Sequence, residues 1–296
     1  MAMRPLQKAG LMALSVTAPR RLAEFFLRPP VQPMRGTLTT SGRSERIEFP
    51  GGGEGLCRGW WVVPTGTDLS PDGGGTSHAV VLAHGWTSHC LRMSMFVDPL
   101  LQAGYQVLIY NARGHGDSDP SPFISQAQFA ADLTAAVRYA RSRAAHVAVV
   151  GHSMGAAAAI IAAADGAPVE AVVSLAPPTH PVQASVDILK ADGIDGDLIL
   201  HRIGAHVQAI IGRPFDSFAP ERRIAEVACP VLVMHGTADE VVPVAHFHRL
   251  QQVAGPNVEM LLVEGANHDA VKTAPVTLPK VMAFLGAAFP VNRQST

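Results

Sequence analysis

The sequence predicts an α/β fold: a mainly parallel eight-stranded sheet with helices on both faces and a small helical cap insertion. Three observations carry this. Short continuous apolar runs, such as Ala79-Val80-Val81-Leu82 and Val147-Ala148-Val149-Val150, recur along the chain, as strands buried on both faces require. Helical segments lie between them, and strands alternating with helices imply crossovers and a parallel sheet. The 296 residues are 48% hydrophobic and 16% charged, enough for one large buried core and too apolar for long disorder.

The elements follow in order. Arg46 to Phe49 and Gly59 to Val63 read as an antiparallel hairpin at the sheet edge. Gly51-Gly52-Gly53 and Asp72-Gly73-Gly74-Gly75 read as turns among these early strands. The parallel strands are expected at Ala79 to Leu82, Val107 to Tyr110, Val147 to Val150, Val172 to Leu175, Pro230 to Met234 and Val258 to Leu262. Helices are expected at Leu91 to Ala103, Ala127 to Arg143, after Ser153, at Val244 to Val253 and at Thr277 to Ala288. Between Pro178 and Ala228 the rhythm breaks for about 50 residues, long for a plain connection. Ile188-Leu189, Leu198-Ile199-Leu200 and Ile203 to Ile211 lie there at roughly helical spacing. We read residues 179–228 as a helical cap, the alternative being an ordinary connection packed on one face.

Residues 1–43 form a helical extension ahead of the main domain, residues 44–296. Met1 to Lys8 carries two positive side chains, Ala9 to Ala18 is apolar, and Val16-Thr17-Ala18 has the small residues of a cleavage site. Pro19 directly after it is a poor neighbour for cleavage. Three readings stand: a helix packed on the domain, a membrane-surface helix, and a signal peptide.

Composition excludes several classes. A net charge of -1 gives no electrostatic footprint for nucleic acid. No apolar run reaches the roughly 18 residues of a transmembrane span. A cytoplasmic protein is expected, with peripheral membrane contact by the N-terminal helix left open. Cys57, Cys90 and Cys229 lack C-x-x-C spacing, which argues against a disulfide framework and a zinc site. His246 and His248 are two apart on a helix, and His201 and His206 are five apart. Neither spacing suits a ligand pair, so no metal is expected. Gly114-His115-Gly116 begins a dinucleotide fingerprint, but Asp119 stands at the third glycine, so no cofactor is expected. The sequence carries no signature of an oligomeric state.

Chemistry enters at the strand ends, where a parallel sheet binds its ligands. Gly151-His152-Ser153-Met154-Gly155 follows one strand and opens into an alanine-rich helix. This is the setting of a nucleophile elbow, which exposes a serine that must also be held beside a base. Polar residues follow other strands: His84-Gly85-Trp86, Asn111 to Ser118, His235 to Glu240 and Glu264 to Asp269.

These motifs together resemble the α/β-hydrolase superfamily of serine esterases, lipases and peptidases over roughly Ala79 to Leu285. His84-Gly85-Trp86 resembles its oxyanion loop, Arg113-Gly114-His115-Gly116-Asp117-Ser118 its R-G-H-G-x-S stretch, and Gly151 to Gly155 its elbow. His235 to Pro243 resembles its acid loop and Gly265-Ala266-Asn267-His268 its histidine loop. The resemblance implies Ser153 as nucleophile, His268 as base and Asp239 as the acid that orients it, in the chain order of this fold. It implies backbone N–H groups of Trp86 and Met154 as the oxyanion hole. Ser153 as a structural turn, Asp239 as a helix N-cap, Glu240 as a competing acid and His268 as a plain loop histidine are the alternatives. Asn111 stands where many relatives have aspartate, and a local hydrogen-bonding change is expected. Arg113 reads as a structural ion-pair residue and His84 as a brace of the oxyanion loop.

The expected function is cleavage of an ester, or a thioester or amide, on a small-molecule acyl substrate through an acyl-enzyme. The rival readings are an acyltransferase on the same site and a non-catalytic binding module.

Overall fold

The computed structural model describes residues 5–28, 31–69 and 77–291; the turn expected at residues 72–75 lies outside them. Eight strands form one sheet in the order β1-β2-β4-β3-β5-β6-β7-β8. β1 (Arg43–Pro50) and β2 (Leu56–Val63) form the antiparallel hairpin, and β2 also runs antiparallel to β4 (Gln106–Asn111). β3 (His78–Ala83), β4, β5 (His146–His152), β6 (Ala171–Leu175), β7 (Val231–Gly236) and β8 (Val258–Val263) pair in parallel. The chain passes from β3 outwards to β4 on one side and then to β5 on the other. That reversal opens a crevice at the carboxyl ends of β3 and β5, where α/β sheets bind ligands.

Alternation along the strands divides the core in two. Val81, Leu108, Val147 and Val149 face α4 (Gln126–Arg141), α5 (Met154–Ala164) and α9 (Ala245–Val253). Val80, Leu82, Ile109 and Val150 face α3 (Val97–Gln102) and α10 (Ala270–Ala288). Two helix ends differ from expectation. The segment read as one helix from Leu91 is a 3-10 turn, Cys90–Phe96, followed by α3. Pro99 explains the break, because a proline without an N–H sits readily only in a first turn. The last helix begins seven residues earlier than expected and runs through Pro275 and Pro279. Burial of Val281, Leu285 and Phe289 on the sheet carries it past the two missing hydrogen bonds, as packing commonly overrides propensity.

Between β6 and β7 the chain forms α6 (Pro181–Ala191), α7 (Gly196–Ile211) and the short α8 (Pro220–Arg223). These do not pack on the sheet alone. Val186, Leu189, Ile199, Leu200, Ile203 and Val207 build a third core with Leu11, Leu22, Ala23 and Leu27. The last four come from α1 (Pro5–Thr17), α2 (Pro19–Phe26) and its C-terminal edge. Arg202 adds a hydrogen bond to Ser15 Oγ at 3.0 Å. The apolar stripe of the N-terminal segment is thus met by α6 and α7. No helix of the described residues is long and apolar enough to cross a membrane.

Arg113 is an ion-pair residue, and its partner is Asp132 on α4. Arg113 Nε donates to Asp132 Oδ1 at 2.7 Å, and Arg113 N–H donates to Oδ2 at 3.0 Å. Gly52 N–H and Gln128 Nε2 donate to the same carboxylate. The pair fixes the loop after β4 to α4 and to the β1–β2 bend. Both side chains are buried, so removing one leaves a charge without compensation. Asp132→Ala is expected to lower stability by about 3–5 kcal/mol, measured by urea unfolding.

Candidate active site

The elbow is a backbone event. Ser153, between β5 and α5, has φ 55° and ψ -118°, a left-handed conformation that costs a non-glycine residue about 1–3 kcal/mol. Gly151 and Gly155 make the turn geometrically feasible. A Cβ on Gly155 would stand 2.3 Å from Ala83 O, and one on Gly151 would stand 2.3 Å from Gly155 O. Only glycine lets α5 start this close to the end of β3. The turn leaves Ser153 half-buried at the crevice, with its N–H donating to Leu175 O at 2.8 Å.

The loops after β5, β7 and β8 bring three side chains together. Ser153 Oγ donates to His268 Nε2 at 3.0 Å, and His268 Nδ1–H donates to Asp239 Oδ2 at 2.8 Å. A carboxylate only accepts, so Asp239 fixes the proton on Nδ1 and leaves Nε2 as the acceptor for the hydroxyl. Asp239 is itself held: its Oδ1 accepts the N–H groups of Val241 at 3.0 Å and Val242 at 2.8 Å. It is not a helix N-cap, since α9 starts only at Ala245. Glu240 is exposed and does not compete. Burial raises the Asp239 pKa, but the His268 hydrogen bond and charge and the Val242 N–H together hold it below the usual carboxylate value.

Two histidines, the half-buried His152 and the buried His235, support this series from behind. His152 Nε2–H donates to the backbone O of His268 at 2.9 Å, tying the histidine loop to the elbow. His235 Nε2–H donates to Val242 O at 2.8 Å and sits 3.6 Å from Asp239 Oδ2. The role of His235 was not read from the sequence, although its place at the end of β7, in the acid loop, is a usable signal.

The loop after β3 is braced on both sides. His84 Nδ1–H donates to Gly85 O at 2.8 Å, and its Nε2 accepts the Ala112 N–H at 3.0 Å. His115 Nε2 accepts the Thr87 N–H at 3.2 Å, and Gln32 N–H donates to Thr87 O at 2.7 Å. Thr87, like Ser153, has a positive φ, 57°. The braced loop lies against the serine: a Cβ on Gly85 would be 3.2 Å from Ser153 Cβ. Trp86 follows Gly85 in this loop. Met154 is the first residue of α5, and a helix leaves the N–H groups of its first turn without intrahelical acceptors. Asn111 replaces a carboxylate to local effect: its Oδ1 accepts the Cys90 N–H at 2.7 Å, and its Nδ2 donates to Asp117 Oδ1 at 2.9 Å. An aspartate there would face Asp117 with like charge.

A cavity of about 600 Å³ opens on Ser153 and His268. Its walls are largely apolar: Met154, Ile203, Val207, Phe215 and Phe218, with Phe26 and Leu27 at the end of α2. Sequence reading missed these last two, because a tertiary contact between α2 and α7 leaves no local pattern. His246 also lines the cavity. Its Nδ1 accepts the Thr179 N–H at 3.1 Å and its Nε2–H donates to Asp187 on α6 at 3.0 Å, so it pins α6 to α9. No group of three or more metal-ligating side chains occurs among the described residues.

This sheet, with the loops after β3, β5, β7 and β8 on one rim, defines a fold class, and comparison with known proteins agrees on the fold. The family model described as serine aminopeptidase, S33, matches residues 75–196, which include Ser153 but not Asp239 or His268. The Mycobacterium tuberculosis protein Rv2307c is 26% identical over 268 residues, covering 89% of this chain and 85% of that protein. Human alpha/beta hydrolase domain-containing protein 17C is 36% identical over 76 residues, 26% of this chain and 23% of that protein. Among solved structures, the Pyrococcus furiosus esterase Pf2001 superposes with a TM-score of 0.64 at 22% identity, over 88% of this chain and 99% of that one. The monoacylglycerol lipase of Paleococcus ferrophilus superposes at 0.56 and 16% identity, over 83% of this chain and 99% of that one. The chain has the α/β-hydrolase fold, and its sequence is similar to members of that superfamily.

Burial, before any other cause, lowers the pKa of His84 to about 3, of His115 to about 4 and of His152 to about 3. In the unfolded chain each would titrate near 6.5. As pH falls, the unfolded state takes up these protons first. The stability tied to the three neutral rings is therefore full above about pH 6.5 and is lost as pH falls towards the folded values. Urea midpoints should drop between about pH 7 and pH 5 at constant slope, and His115→Asn should flatten that dependence.

Proposed function

We propose that the chain is a serine hydrolase that cleaves a carboxylic ester, with an apolar acyl group, through an acyl-enzyme. The observation that carries this reading is the hydrogen-bonded series Ser153, His268, Asp239 at the mouth of the 600 Å³ apolar cavity. Ser153 Oγ attacks the acyl carbon while His268 Nε2 takes its proton. Asp239 stabilises the imidazolium that results. The N–H groups of Trp86 and Met154 receive the oxyanion, each commonly contributing about 3 kcal/mol. Collapse breaks the bond to the leaving oxygen, which receives the proton from His268. Water then attacks the acyl carbon as His268 takes its proton, and collapse breaks the bond to Ser153 Oγ, which receives that proton from His268 as the acid leaves. Esters lead over amides because an alcohol leaves with less activation than an amine; a thiol leaves more easily still, so leaving-group chemistry does not separate thioesters from esters. The cavity's size fits a small-molecule acyl ligand, and its apolar walls favour a hydrocarbon chain.

A fluorophosphonate probe should add once to the wild type, read by intact mass, and not to Ser153→Ala. A well-folded wild type that takes no adduct would overturn the reading in favour of a binding module. His268→Ala should abolish turnover, and Asp239→Asn should lower kcat by about 10⁴-fold, since the amide permits the wrong tautomer. Near-normal activity in Asp239→Asn would remove Asp239 from the acid role. Ala184 on α6 is small, half-buried and on the cavity wall. Ala184→Phe should displace about two methylenes of substrate, worth about 0.8 kcal/mol each, and lower kcat/KM for long acyl esters about tenfold against short ones.

A further inference from the structure

The N-terminal segment divides the charge of the chain. Residues 1–43 hold seven of the 23 arginines and lysines and one of the 24 acidic residues, a formal +6. The rest of the chain, with 16 basic against 23 acidic residues, carries -7. Charge segregated in this way points to an anionic partner for the basic segment.

The apolar residues of the segment are divided as well. Leu22, Ala23 and Leu27 turn inward to the third core, so the inner stripe of α2 is satisfied. A surface helix whose inner stripe is met should show water a polar outer face. Here the outer face is mixed. Nine large hydrophobic side chains are exposed among the described residues, and four of them, Leu14, Val16, Phe25 and Val31, fall within 18 residues. Phe25, at 65%, is the most exposed of the nine.

Helical spacing brings charge and ring together. Arg21 and Phe25 are four apart on α2, and Arg28 follows three further on, just past the helix end. All three are exposed, so they lie along one outward stripe. Glu24, the one acid of the segment, is taken by Arg20, whose Nε lies 3.3 Å from its Oε1. Among the described residues neither Arg21 nor Arg28 has a carboxylate partner, and Arg28 Nε donates to the backbone O of Pro122 at 2.9 Å. An aromatic ring between two uncompensated guanidinium groups suits a phospholipid leaflet, anionic outside and hydrocarbon just beneath. A nucleic acid uses such charges and stacks on an aromatic ring, but it offers nothing to the aliphatic Leu14 and Val16.

The same element borders the candidate site. Phe25 meets Phe26 edge to face, with ring centroids 6.1 Å apart, and Phe26 lines the cavity that opens on Ser153. Ile188 and Val241 line that cavity too and are each 55% exposed, so they stand at its mouth. A leaflet that takes up Phe25 is one aromatic ring from the cavity wall.

We infer that the outward face of α1 and α2 is a peripheral docking surface for an anionic phospholipid membrane. Phe25 enters the boundary between headgroups and acyl chains, Arg21 and Arg28 lie on the headgroups, and the inner stripe stays on α7. This goes beyond the Ser153 reading and does not depend on it.

The test is co-sedimentation of the whole chain with vesicles of phosphatidylcholine, alone or with about one-third phosphatidylglycerol. The wild type should bind the anionic vesicles in preference to the neutral ones, and should leave them as salt rises from about 0.1 M to about 0.5 M. Each arginine near an anionic leaflet is worth about fivefold in partitioning, so Arg21→Gln combined with Arg28→Gln should weaken binding about 25-fold. Phe25→Ser should weaken it about tenfold. The melting temperature of each variant reports separately on its fold. A wild type that does not bind anionic vesicles overturns the proposal, as does full binding by the folded arginine or Phe25 variants. Tighter binding to a single-stranded oligonucleotide than to vesicles overturns it in favour of nucleic acid. A dimer, seen by analytical ultracentrifugation without vesicles and dissolved by Phe25→Ser, assigns the face to a second copy of this chain and overturns it too.

Discussion

The left-handed turn at Ser153 is the constraint on which the site depends. Among the described residues only three non-glycine residues have a positive φ: Thr87, Ser153 and Ala176. They follow β3, β5 and β6, strands that neighbour one another in the sheet. Backbone strain is therefore gathered at one end of one sheet, at the crevice, and nowhere along the buried strands. Such strain persists only where the surroundings over-determine it. Here the surroundings are the buried central strands of the sheet and the glycine contacts that lock α5 against the end of β3.

Electrostatics follow the same division. Among the described residues only one carboxylate, Asp239, is sunk at this end of the sheet, and each of its oxygens has donors: two backbone N–H groups on one and the imidazole on the other. The surrounding histidines, His84, His115 and His152, act as neutral hydrogen-bonding wedges rather than charges. Each accepts a backbone N–H or donates to a backbone carbonyl, and burial keeps the ring uncharged. A charged ring at His84 or His115 would lose its acceptor nitrogen and release the loop that carries Trp86. Besides Asp239, the buried ionic charge among the described residues is the Arg113–Asp132 pair, which positions a loop.

Most of the fold was legible because its signals are local. An apolar run of four residues marks a buried strand wherever it stands, and the polar residues after it fall on the ligand rim by topology alone. The geometry that unites Ser153, Asp239 and His268 is likewise implied by strand order. The misplaced ends, at Cys90–Phe96 and Ala270, lie where proline chemistry and tertiary packing compete. The less legible parts of the site are those made by distant contacts. Phe26 and Leu27 are placed at the cavity by contacts with α7 and by the Ile124 N–H bonded to Leu27 O, and Arg92 and Asp269 meet across 177 residues. His235 was visible at a strand end, but its support of Val242 depends on how the acid loop curls back.

The third core has a consequence for the order in which the molecule is assembled. Leu11, Leu22 and Leu27 leave the ribosome almost 200 residues ahead of their partners Ile199, Ile203 and Val207. Until then the apolar stripe of α1 and α2 has no native cover. It is the type of transiently exposed surface on which chaperones act. The wall of the cavity thus joins two stretches of chain made far apart in time, and its completion waits on a contact of very long sequence separation.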